Sequence, residues 1–392
     1  MIVRQFISWI KTAPAGERAE ATRALARAWL ISDLSEEDRV AAEGALLMLL
    51  DDTSPLVRRA MAEVFSRSQE APAAIVQALA LDQPSVALPI LEHSPLLIDA
   101  DLVDIAATGS GETQCAIARR INLPASVCAA IAEVGTAAAA LELIENPYAE
   151  LPPFSWNRIV ERHGHLAAIR ESMLVLEDLP AATRAALVAK LSNTLAQFVV
   201  AKNWLSADRA ERVADEARDR STVNIAASSR GDDMHGLIAH LRATSQLTAG
   251  LILRALLSGN LELFEAALAE LSGLPRARVS SLLLDRGEAS LVALLRRAGL
   301  PESTFAAFRA ALDVVSETGF VDTLADAARL RRRMVERVLT QCEVDQNAAS
   351  PLLILLRRFA TESAREDARM FCEELAAEDA LAALPYDDLI AA

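Results

Sequence analysis

Aromatic side chains are scarce: ten phenylalanines, four tryptophans and two tyrosines make up 4% of 392 residues. That excludes an interior of stacked rings and argues against β-sandwiches, which draw on Val, Thr and aromatics. It also removes most of the platforms on which single-stranded nucleic acid is held. Lysine is nearly missing, with Lys11, Lys190 and Lys202 the three in the chain, so arginine supplies the rest of the 39 basic residues. Cys115, Cys128, Cys342 and Cys372 form no paired spacing, which leaves them as small apolar residues and asks for no oxidising compartment. No apolar run approaches the roughly 18–20 residues that span a bilayer, since LVALL and LLILLRR both meet arginines. The N-terminus has no basic stretch ahead of its apolar residues and no small-residue cleavage site. The expectation is a soluble cytoplasmic protein with no membrane partner. Positive charge is also short: the net charge is −15 and the pI is near 4.9. Such a body is repelled by phosphate backbones unless a local patch overrides it, so nucleic acid is a disfavoured partner.

What remains is an interior of Ala and Leu, within a hydrophobic share of 52%. Small side chains let helices approach closely. Between Leu49 and Ile121 the chain reads LLDDTSPLVRRAMAEVF, then ALALDQPSVALPILEHS, then IAATGSGETQCAIARRI. Each line is a short helix, a polar break and a second helix, with Val57, Val86 and Ala116 in comparable places. Self-similarity of this kind predicts an α-solenoid. Pro55, Pro72, Pro84, Pro95 and Pro124 punctuate the hairpins near helix starts, where the missing N–H has no partner to lose. Asp52, Asp82 and Asp99 or Asp101 read as helix caps, and Ser35 opens a helix with three acids in its first turn. Trp9 and Trp29 are placed to cover the open end of the stack, which has no neighbouring repeat.

Three segments follow from these patterns. Residues 1–147 form N-terminal repeats with capping helices. Residues 148–230 connect, with a long amphipathic run over 181–203 and, behind Ser206, a charged helix polar enough to be a spacer or a solvated outer face. Residues 231–392 form a second block of hairpins, in which Gly259, Gly273, Gly287 and Gly299 each follow a helix where a left-handed residue closes it. The SSRGDD stretch at 228–233 reads as a flexible joint. The end is acidic: over 361–392 nine acids stand against Arg365 and Arg369, a balance of −7. The fold class is all-α, a solenoid of stacked helical hairpins in two blocks.

The stretch DDTSPLVRRAMAEVF resembles the D-x-x-x-x-V-R-x-x-A pattern of HEAT-like helical repeat proteins. With APAAIVQALALDQPSVALPILEHSPLLIDADLVDIA, QCAIARR and LILRALLSGNLELFEAALAELSG, the chain further resembles an uncharacterised, mainly alphaproteobacterial family with a domain of unknown function. The resemblance is strongest over 45–145 and fades at 148–230 and after 320. It implies a HEAT-like fold and no assigned activity.

Four arginines, Arg58, Arg59, Arg119 and Arg120, sit at related places in two repeats and could form a row of guanidiniums that grips acidic side chains of a partner. The alternative for Arg58 is a pair with Asp51 or Asp52 inside its own hairpin. Arg329, Arg333 and Arg337 share one face of the most basic helix, with Arg331 and Arg332 pointing elsewhere. Asp322, Asp326 and Glu336 stand at helical spacing to pair with them, and the acidic tail at 373–388 is a second candidate to dock there. His163 and His165, behind Glu161, lack a third ligand at a matching spacing, so no metal is expected. No P-loop, G-x-S-x-G or G-x-G-x-x-G occurs, and no cofactor is expected. The function these features suggest is non-enzymatic: a scaffold presenting a helical-repeat surface to a partner protein. The alternatives are a regulator with a small-molecule or nucleotide pocket near 148–230, and a HEAT-like nucleic-acid-binding protein.

Overall fold

The structure, a computed structural model, describes residues 9–10, 12–284, 288–318, 324–344 and 350–382. These residues form twenty-one α-helices and no strand; one isolated bridge joins Leu123 and Ala149. No helix among them is long and apolar enough to cross a membrane. The chain divides into two compact units, Met1–Leu179 and Pro180–Ala392, so the segment expected to connect at 148–230 is shared between them.

The first unit contains α1 (Ala15–Ile31), α2 (Glu36–Leu49), α3 (Pro55–Phe65), α4 (Ala73–Ala80), α5 (Pro84–His93) and α6 (Asp99–Thr108), then α7 (Gly111–Ala118), α8 (Ala125–Val134), α9 (Ala137–Glu145), α10 (Pro153–His163) and α11 (Ala167–Leu174). Helices α1, α3, α5, α7, α9 and α11 stack in sequence as one layer, while α6, α8 and α10 stack in the other. Helices packed on their next-but-one neighbours are what a solenoid is. Proline opens α3, α5 and α10 at the first helical position, and hydroxyl caps open others: Ser35 accepts from Asp38 N, Ser110 from Thr113 N and Thr136 from Ala139 N.

Small residues at layer contacts let medium-sized ones fill the core. Val57, Met61 and Phe65 on α3, Val86 and Ile90 on α5, and Ile117 on α7 are all fully buried. Ala116 is buried as well, but it is not the counterpart of Val57 and Val86. Those are third residues of their helices, and the third residue of α7 is Thr113. At the first helical position, where the two earlier helices have proline, α7 has Gly111 behind the Ser110 cap, so the sequence offers no proline from which to count the register. Trp29 is buried edge-on against Phe65 at 6.1 Å, while Trp9 stays 40% exposed.

The second unit opens with a long hairpin, α12 (Ala181–Ala201) and α13 (Ala207–Ser228). Asp233 Oδ1 accepts from Ala181 N at 2.7 Å and so closes the start of α12. The polar helix behind Ser206 is not a spacer: it is the first part of α13, which packs along α12 and buries Ala210, Ala214, Thr222, Val223 and Ala226. An alanine face carries little hydropathy, which hides its buried side. Ser206 stands at the N-cap without a side-chain hydrogen bond. Then come α14 (Gly231–Ala243), α15 (Ala249–Leu257), α16 (Leu261–Ser272), α17 (Arg276–Leu284), α18 (Glu288–Arg297), α19 (Phe305–Thr318), α20 (Leu324–Val344) and α21 (Ser350–Ala382).

Helices α12, α14, α16 and α18 stack as one layer, and α15 lies across α13, α16, α19 and α20. Every residue of α15 from Leu251 to Leu257 is buried, as expected of a helix surrounded by others. Phe264 and Phe308 stack at 5.9 Å beside it. Gly259, Gly273 and Gly299 have φ of 76°, 67° and 73°, the left-handed closures expected; Gly287 lies outside the described residues.

With so few rings, each buried phenylalanine carries a large share of its local core. Phe65→Ala is expected to destabilise the protein by about 3–5 kcal/mol, read as a lower urea midpoint.

Candidate functional site

In the first unit most of the singled-out arginines tie one repeat to the next. Arg58, the fourth residue of α3, donates Nε and Nη2 to Asp82 at 2.5 and 2.9 Å, and Nη1 to the Asp52 carbonyl at 2.5 Å. Its carboxylate is therefore neither Asp51 nor Asp52 but the aspartate in the turn before α5, one repeat onward. Arg18, the fourth residue of α1, grips Asp52 in the same way at 2.8 and 2.8 Å. Burial raises the Asp52 and Asp82 carboxyls, but hydrogen bonds from Arg18 and Arg58 outweigh it and hold both below the usual range. The two aspartates expected as caps accept between repeats and also take the Ser54 and Gln83 backbone N–H groups just ahead of α3 and α5, at 2.8 and 2.6 Å. In α7 the fourth residue is Gln114, which does the neutral version: Oε1 accepts from Thr136 N and Nε2 donates to the Ala106 carbonyl, both at 2.9 Å.

The other end of the layer is tied as well. Arg120 donates to the carbonyls of Leu91 and Ser94, both at 2.6 Å, satisfying the open end of α5. Asn146 repeats this one helix later, donating Nδ2 to Ala118 and Arg120 carbonyls at 2.7 and 2.8 Å. Arg59 and Arg119 face outward, with side chains 53% and 45% exposed. Arg59 pairs with Glu63 on its own helix at 2.9 Å, and Arg119 bridges Glu142 at 2.9 Å and Glu92 at 3.8 Å. The structure therefore does not bring the four arginines together on one open ridge. His163 Nε2 lies 3.3 Å from the Gly135 carbonyl at the end of α8, and burial lowers its pKa. Among the described residues no group of three or more His, Cys, Asp or Glu is placed to hold a metal.

The basic stretch on α20 is largely neutralised. Arg331 pairs with Glu366 at 2.7 Å, Arg332 with Asp367 and Glu336 at 2.9 Å each, and Arg337 with Glu317. Arg333 is exposed, and the Arg329 side chain lies outside the described residues, as do Asp322 and Asp326. Acids of the last helix do meet this stretch, but from 366–367. Up to Ala382 the acidic end continues α21, and 383–392 lie outside the described residues.

Charged side chains gather within the second unit, where α13 and α21 wall an open groove of about 910 Å³. Its lining holds six arginines (Arg220, Arg254, Arg357, Arg358, Arg365, Arg369) against four glutamates (Glu216, Glu362, Glu366, Glu373), with Val213, Ile354 and Met370 as apolar surface. Arg358 pairs with Glu216 across the groove. Arg365 and Arg369, one turn apart on α21, are exposed with no partner among the described residues. Beneath the groove Arg254 rises from the centre of α15, 7% exposed, its guanidinium 4.1 Å over the Phe359 ring and Nη1 2.8 Å from Glu362. Burial pushes the nearby Asp219 carboxyl up to about 6; Arg254 and Arg218 oppose that rise, and Asp215 adds to it. The sequence marks none of these groove residues as a site; Arg365 and Arg369 enter there only as the two cations of the acidic end. The available signal was Arg254 itself, the one charge in the otherwise apolar run AGLILRALL.

Two outcomes follow. Arg120→Ala strands two carbonyls of α5 and is expected to cost about 2–3 kcal/mol, against under about 1 kcal/mol for Arg119→Ala, by chemical denaturation. Asp219 binds its proton more tightly folded than unfolded, so its contribution to stability is full below the ordinary Asp value of 3.8 and is lost as pH rises from there through about 6. Tm of the native protein should therefore fall between pH 5 and 7.5 relative to Asp219→Asn, which lacks the titration.

No curated protein and no solved structure shows significant similarity to the chain. A family profile, however, matches residues 86–345, spanning most of the stacked helices of both units. By that match the chain belongs to the family described as an uncharacterised protein conserved in bacteria, DUF2336.

Proposed function

We propose that this protein is a non-enzymatic scaffold of HEAT-like helical repeats, acting in the cytoplasm, and that the α13–α21 groove docks an acidic, amphipathic segment of a partner protein. One observation carries the reading. On a chain of net charge −15, the groove lining holds six arginines and four glutamates, an excess of two positive charges. Complementary charge steers encounter and selects partners, and Val213, Ile354 and Met370 supply the apolar contact that charge alone lacks. Arg365 and Arg369 are the groups with most to gain, because a partner carboxylate meets them without displacing an internal one. Arg59 and Arg119 offer a lesser contact on the first unit, since each would first have to leave a glutamate. Arg58 and Arg120 support that surface by fixing the repeats under it.

The test is affinity purification of the tagged protein from its own cells, with quantitative mass spectrometry of what is retained. A stoichiometric partner should be lost about tenfold or more with Arg365→Glu/Arg369→Glu and be weakened by salt, while Arg59→Glu/Arg119→Glu has a smaller effect. Retention unchanged by the α21 reversal removes the groove assignment. Absence of any stoichiometric protein, repeated after cross-linking, removes the scaffold reading.

A further inference from the structure

Below the groove, α13, α15, α20 and α21 line a smaller, partly open cavity of about 60 Å³, several times the roughly 10–15 Å³ that admits one water. Its charged lining is Arg220, Arg254, Arg331, Glu362 and Glu366, and Asn224, Ser258 and Ser363 add neutral polar groups. Three guanidiniums line it against two carboxylates, with the Asp219 carboxyl close to Arg254 as a third acid; Arg220 is half-exposed, while Arg254 and Arg331 lie deeper.

The pairing inside this cluster is incomplete. Glu362 is divided, one oxygen 3.1 Å from Arg220 Nε and the other 2.8 Å from Arg254 Nη1. Glu366 gives one oxygen to Arg331 Nη1 at 2.7 Å. No arginine here receives the two-point contact that a carboxylate can give a guanidinium. The Nε groups of Arg254 and Arg331 and the Oγ of Ser363 are buried with no hydrogen-bond partner. Arg254 and Ser363 are themselves more than nine-tenths buried, at 7% and 4% exposure. Stacking on Phe359 fixes the plane of the Arg254 guanidinium, so its free donors are held in place.

We infer that this cavity is a binding site for a small oxyanion of the phosphate type. A phosphoryl group brings several acceptor oxygens on one centre, enough for the unpartnered Arg254 and Arg331 Nε–H groups and the Ser363 hydroxyl together, and its charge suits a lining with three guanidiniums. Lining residues Arg220, Arg254, Glu362 and Glu366 are shared with the open groove. The oxyanion could therefore be free phosphate or the phosphoryl end of a larger molecule lying in the groove. The inference stands apart from the docking of a partner protein.

The experiment uses the full chain without any partner. Sodium phosphate and, separately, adenosine 5′-monophosphate are titrated at constant ionic strength against sodium chloride, followed by calorimetry and by Tm. Expected is a saturable one-to-one site with a rising Tm, weakened about tenfold or more in Ser363→Ala and in Arg220→Gln. Both substitutions spare the buried Arg254–Glu362 pair, so loss of binding in a variant of unaltered basal Tm reports on the site. Equal affinity for the two probes identifies free phosphate as sufficient; much tighter binding of the monophosphate ester identifies a phosphorylated molecule. Neither probe differing from chloride up to about 10 mM, or binding unchanged in both variants, overturns the inference and leaves the scaffold reading untouched.

Discussion

The first unit depends on one recurring contact: a side chain from the first turn of a helix grips the turn that opens the next helix of its layer. Arg18–Asp52 and Arg58–Asp82 are its charged forms, and Gln114 with the Thr136 amide is its neutral form. The interior makes this contact necessary. Ala–Leu surfaces are smooth, and smooth surfaces resist sliding poorly compared with interlocked large side chains. A guanidinium held between two carboxylate oxygens and a carbonyl is directional, so it fixes the offset between repeats as well as adding stability. Its cost is that a lone partner is left buried if the other is removed.

Buried arginines of the first unit, Arg18, Arg58 and Arg120, accordingly tie one repeat to the next, while Arg59 and Arg119 stay outside the layer. Arg120 and Asn146 end the same layer by meeting the carbonyls that a finished helix leaves open. In the second unit the central helix α15 is surrounded on every side, and its single charge has to be met from α13 and α21. Meeting Arg254 with one divided carboxylate draws further arginines and glutamates together. The groove and the cavity beneath it both grow from that residue.

The sequence made the fold class legible because helix starts, proline positions and left-handed glycines are local signals. Gly259, Gly273 and Gly299 could be read from single residues. Partners across repeats could not. Asp52 and Asp82 look like caps because they precede helices, and only the stacking of next-but-one helices shows that they answer arginines 34 and 24 residues away. The ties that Arg120 makes were hidden because a carbonyl acceptor has no sequence signature. The polar α13 read as a spacer or solvated face because its buried side is alanine and threonine. The groove was illegible for a related reason: α13, α15 and α21 are far apart in sequence, and the lone arginine in AGLILRALL is informative only once every neighbour of it is known to be buried.

The claim that polar ties set the repeats is tested most directly by a double-mutant cycle on Arg58 and Asp82, with Arg59 and Glu63 as the surface control. The account predicts a coupling of about 2 kcal/mol for the first pair, whose side chains are only 15% and 17% exposed, and about 0.3–0.5 kcal/mol for the second. A coupling below about 0.5 kcal/mol at Arg58–Asp82 would contradict it, and would return the register of the stack to apolar packing alone.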